Sequence, residues 1–145
     1  MDRGLAVLIM AVVGGALALQ APINAGLGKF TGSFAAAMIS FAVGTLLLAA
    51  IVVLSGRAGG VGEVAHVQWY YLLGGLLGAA YVFSALVLIS HIGAGGIAAA
   101  TITGQLTTSV VLDQIGFLGL EQTPITATRV AGIVLLLAGT YLIVR

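Results

Sequence analysis

The sequence predicts an all-α integral membrane protein, one domain over residues 1–145 built from five transmembrane helices. Composition is the first reason. The 145 residues are 61% hydrophobic and 6% charged, with a mean hydropathy of +1.23, whereas a soluble domain carries about 25% charged residues. A surface that needs so few charges faces lipid. The second reason is length: a hydrocarbon core about 30 Å thick needs roughly 20 apolar residues of helix, and five stretches meet that requirement. Membrane strands would instead give weak alternating segments of about ten residues.

The first span runs over 5–27, interrupted by Gln20, Pro22 and Asn24, and ends at Gly28-Lys29. Asp2-Arg3 before an apolar run and Ala16-Leu17-Ala18 within it imitate a secretory signal with a small-residue cleavage site. The run continues past that point and more spans follow, so it reads as a membrane helix. The second span, 33–54, stops at Ser55-Gly56-Arg57. A Gly-rich connection with Glu63 and His66 leads to the third, 69–89, where Trp69, Tyr70 and Tyr71 suit an interfacial aromatic belt. The fourth covers 95–117. The fifth, 125–144, is expected to start at Thr123-Pro124, an N-cap followed by proline at the first helical position.

An odd number of spans puts the termini on opposite faces of the membrane. Lys and Arg in the flanks set orientation. Arg3, Arg57 and Arg129 lie on the face of the N-terminus, and Lys29 and Arg145 on the other. That near-balance fits either a weakly biased single topology or insertion both ways, with the chain pairing antiparallel to itself. The net charge of +1 excludes electrostatic nucleic-acid binding, which needs a strong basic patch. The absence of cysteine excludes disulfides, thiol catalysis and thiolate metal sites. No serine–histidine–acid set, metal-ligand cluster or phosphate-cradling loop stands out, so neither enzyme activity nor a cofactor or metal is expected.

Burial cannot join helices in lipid, so small residues that let backbones approach do so. Gly74 and Gly78 form a GxxxG pair, and Ala36, Ser40 and Gly44 line one face of the second span. Polar side chains at membrane depth are costly and tend to mark function. Gln20 and Asn24 share a face of the first helix at i, i+4, with Pro22 between them, where proline is expected to kink or break the helix. Gln105, Ser109 and Asp113 repeat that spacing in the fourth, with Thr101 and Thr108 nearby. Asp113 is the only acid within the spans, either a solvated interfacial carboxylate or a buried one that takes up a proton or pairs with a cation. Asn24 and Asp113 lie near opposite faces, so an antiparallel pair would bring Asp113 of one copy level with Gln20 and Asn24 of the other.

The runs Gln20-Ala-Pro-Ile-Asn24-Ala-Gly-Leu and Ser40-Phe41 with Gly44, then Trp69, Gly74-Gly75 and Gly78-Ala79-Ala80-Tyr81-Val82, resemble the YdcZ-like bacterial proteins. Gly104-Gln105, Asp113, Gly116, Thr128-Arg129, Gly132 and Gly139 extend that resemblance over the whole chain. It implies membership of the drug/metabolite transporter superfamily and a five-helix half-transporter in the bacterial inner membrane. It also implies antiparallel pairing with a second copy or a homologous partner. The small multidrug resistance relatives bind protons and cationic drugs with a glutamate in the first helix; here Gln20 and Asn24 are neutral and that helix carries no acid.

The expectation is a small-molecule transporter working by alternating access. Gln20, Asn24, Gln105 and Ser109 would face the solute, Pro22 would supply a flexible point and Asp113 a coupling or gating carboxylate. A dual-topology channel and a non-transporting structural or accessory membrane protein are the alternatives.

Overall fold

The computed structural model describes residues 2–145, and every regular element among them is helical. The elements are α1 (Arg3–Thr31), α2 (Ser33–Leu54), the single turn α3 (Gly59–Gly62), α4 (Leu73–Ile115) and α5 (Ala127–Val144). Short 3-10 turns at Glu63–His66, Trp69–Leu72 and Phe117–Gly119 complete the connections. α1, α2, α4 with its leading turn, and α5 are each long and apolar enough to cross a membrane.

α4 is long enough for more than one crossing. Its 43 residues would extend about 65 Å at about 1.5 Å per residue, twice the hydrocarbon thickness. The helix is interrupted at Gly93, with φ 69° and ψ 171°, a conformation that only glycine enters without strain. The break leaves segments 73–92 and 94–115, each long enough for one crossing. The interruption at Gly93 thus divides the four long helices into five segments, each long enough to cross a membrane.

Three boundaries differ from the expectation. α1 does not break at Pro22 and does not end at Gly28-Lys29 but runs on to Thr31. Proline removes one N–H, the donor to the Ala18 carbonyl, and the remaining ladder holds, because free backbone groups are expensive in hydrocarbon. The fourth span ends at Ile115 rather than 117, since Gly116 takes the left-handed conformation (φ 63°) that terminates helices. The last helix starts at Ala127, not beside Pro124. Thr126 is its N-cap, its hydroxyl accepting from the Arg129 N–H at 3.3 Å, while the Ile125 N–H donates to the Gln114 side chain at 2.7 Å.

The chain divides into two compact units, one ending at Val87 and the other beginning at Leu88. In the first, α1 and α2 pack closely around Ala36, Ala37, Val82 and Leu86. Small residues make that approach possible: a Cβ at Gly28 would lie 3.1 Å from Leu86 and 3.8 Å from Ala36. Gly78 lies under the Phe41 ring, its would-be Cβ 3.4 Å away, and Phe34 stacks on Phe83 with centroids 4.3 Å apart. Around Gly74 and Gly44 an added Cβ would meet nothing within 4 Å, and Ser40 is half-buried. Leu8, Leu46 and Leu47 stand exposed, as lipid-facing side chains do. Trp69, Tyr70 and Tyr71 form a ring cluster with centroids 6.3 and 4.7 Å apart.

The second unit joins 94–115 to α5 through hydroxyls. Thr103, 6% exposed, lies 2.7 Å from the Thr140 hydroxyl, which donates to the Ala99 carbonyl at 3.1 Å. One helix thus holds the other by a polar contact, as expected where burial gives no drive to association.

Candidate functional site

In the first unit, helical spacing puts Gln20 and Asn24 on the same side of α1. They meet 73–92 there: Gln20, Ala21 and Asn24 line a crevice with Tyr81, Val82 and Ala85. Asn24 is 5% exposed, and Gln20 and Tyr81 are half-buried. The room inside is about 10 Å³, enough for one water-sized group. No side-chain hydrogen bond within the described residues engages the Asn24 amide. Sequence reasoning found both amides and missed Tyr81. Its signal was only a lone aromatic following the Gly78-Ala79-Ala80 run.

In the second unit, Gln105 and Ser109 occupy one side of 94–115 with Gly104 and Thr108. Together they line an open groove of about 490 Å³, within the roughly 300–1,000 Å³ range of small-molecule sites. All four residues are exposed in this chain. The side chain of Thr107 turns back to the Thr103 carbonyl at 2.8 Å.

Asp113, one helical step further, does not stand alone. Its carboxylate accepts from the Arg129 guanidinium at 3.1 Å, with the Arg129 and Asp113 side chains 33% and 35% exposed. The Asp113 carbonyl accepts from the Thr123 N–H at 3.0 Å, and Gln114 holds Ile125 as noted. The end of the fourth span and the start of the fifth are thereby pinned across their connection. Arg129, read from sequence as a flanking charge, is the partner that reading missed. The available signal was an acid and a base at the two ends of one short connection.

No group of three or more His, Asp or Glu among the described residues could hold a metal. The described polar residues offer hydrogen bonding and one ion pair.

The profile of the family described as "Putative inner membrane exporter, YdcZ" matches residues 5–142. The chain belongs to the YdcZ family. It is also similar to the inner membrane protein YdcZ of Escherichia coli (strain K12), with 27% identity over 149 residues covering 100% of this chain and 98% of that protein. No solved structure matches it. The family adds a description of membrane export to an all-helical fold with four helices long and apolar enough to cross a membrane.

Proposed function

We propose that this YdcZ-family chain is half of a small-molecule exporter of the inner membrane, working by alternating access as an antiparallel pair. The observation that carries the reading is the groove of Gly104, Gln105, Thr108 and Ser109. It is a solute-sized open groove lined by the polar side chains of Gln105, Thr108 and Ser109, and polar groups in a membrane helix are retained where they meet a partner or a substrate. One chain supplies a single wall of it. A second, inverted copy would supply the other, and the near-balance of flanking Lys and Arg is compatible with insertion both ways. In this reading Gln20, Asn24, Gln105 and Ser109 contact the solute. The Asp113–Arg129 pair is the gating element, closing the connection between the fourth and fifth spans when formed. The description of the family and of the Escherichia coli relative supports export; the residues supply the site.

Reconstitution into liposomes with a panel of solutes, with and without a pH gradient, tests the proposal. Saturable flux that falls in Gln105→Ala is the expected result. Flux without saturation would make the protein a channel, and a folded protein that moves nothing would make it structural. Because the chain has no cysteine, cysteines introduced at 24 and 113 should cross-link between copies of an inverted pair. A C-terminal reporter seen on one face only would remove dual insertion.

A further inference from the structure

The two polar surfaces differ in size and in lining. At membrane depth an amide without a partner is costly, yet Asn24 is 95% buried and faces the crevice it shares with Gln20 and Tyr81. The lining contains two amides, one phenol and no ionised group. Amides and a phenol both donate and accept. Such a set satisfies a hydroxyl or an amide on an incoming molecule, and gives a cation no counter-charge to replace its hydration. The room of about 10 Å³ admits one functional group rather than a whole solute.

We propose that the Gln20–Asn24–Tyr81 crevice is a socket for one uncharged hydroxyl or amide group of the transported molecule, with Tyr81 as a specificity-determining residue. This rests on the transporter reading and narrows it: the substrate class is neutral and hydrogen-bonding, not a lipophilic cation.

Asn24 is the only asparagine in the chain, so selective asparagine labelling with nitrogen-15 gives a single side-chain NH₂ signal. With the full chain in lipid nanodiscs, glycerol and acetamide serve as the neutral probes and tetraphenylphosphonium as the cationic one. The expected result is a saturable shift of the Asn24 signal with at least one neutral probe and none with the cation. Tyr81→Phe, which removes only the hydroxyl, should weaken the neutral response roughly fivefold, the worth of one hydrogen bond. A response equal in Tyr81→Phe, a response to the cation, or only a linear drift with neutral probe would overturn the socket. The two proposals fail separately. Solute flux with no Asn24 response removes the socket and leaves the transporter, whereas an Asn24 response without any flux removes the transporter and leaves the socket.

Discussion

The hydroxyl contact between the fourth and fifth spans can be tested as a pair. The Thr140 hydroxyl reaches the Ala99 carbonyl at 3.1 Å and lies 2.7 Å from the Thr103 hydroxyl, a pair in which either oxygen can be the donor. Thr103→Val and Thr140→Val keep the side-chain shape and remove one hydroxyl each. In Thr140→Val the Thr103 hydroxyl retains a long contact to the Leu136 carbonyl at 3.5 Å, and the Ala99 carbonyl keeps its helical bond. In Thr103→Val the Thr140 hydroxyl still reaches Ala99. Each single change should therefore cost about 0.5–1 kcal/mol, below the 1–3 kcal/mol of a fully orphaned buried group. Interhelical polar pairs in membrane proteins average about 0.6 kcal/mol, a factor of about three in the unfolding equilibrium. The assay is reversible unfolding in mixed detergent micelles followed by helical circular dichroism, run as a double-mutant cycle. Single costs that simply add, with no coupling, would refute the reasoning, because the two hydroxyls would then not be each other's partners.

Three further outcomes are expected. Ala36, 0% exposed between α1 and Leu86, should not accept a larger side chain: Ala36→Leu should destabilise by about 1–3 kcal/mol in the same unfolding assay, while the change at exposed Ala42 should be nearly silent. Gly93→Ala places a side chain at φ 69° and should cost about 1–3 kcal/mol. Equal stability would mean that the break between the third and fourth spans does not need that conformation. Asp113→Asn and Arg129→Gln each remove a pair that is about one-third exposed; solvent screening limits its worth to at most about 1 kcal/mol, so near-wild-type stability is expected. A loss of several kcal/mol in either would identify a desolvated pair instead.

Much of the fold follows from composition and segment length. The apolar runs mark the spans because the bilayer imposes one length on every crossing helix, and 33–54 coincides with α2 to the residue. The pairing of Gln20 with Asn24 was equally legible, since it depends only on helical periodicity. Local chemistry pointed elsewhere at two places. Proline at 22 suggested a kink or a break, and the helix continues through it unbroken, while Thr123-Pro124 imitated the cap that Thr126 supplies. What required the tertiary structure is which groups meet. Tyr81 joins the two amides only because 73–92 packs against α1. Arg129 reaches Asp113 only because the connection between their helices folds back. Periodicity places residues on one helix and is silent about its neighbours, and in lipid those neighbours are chosen by close fit and by a few polar contacts rather than by hydrophobic pattern.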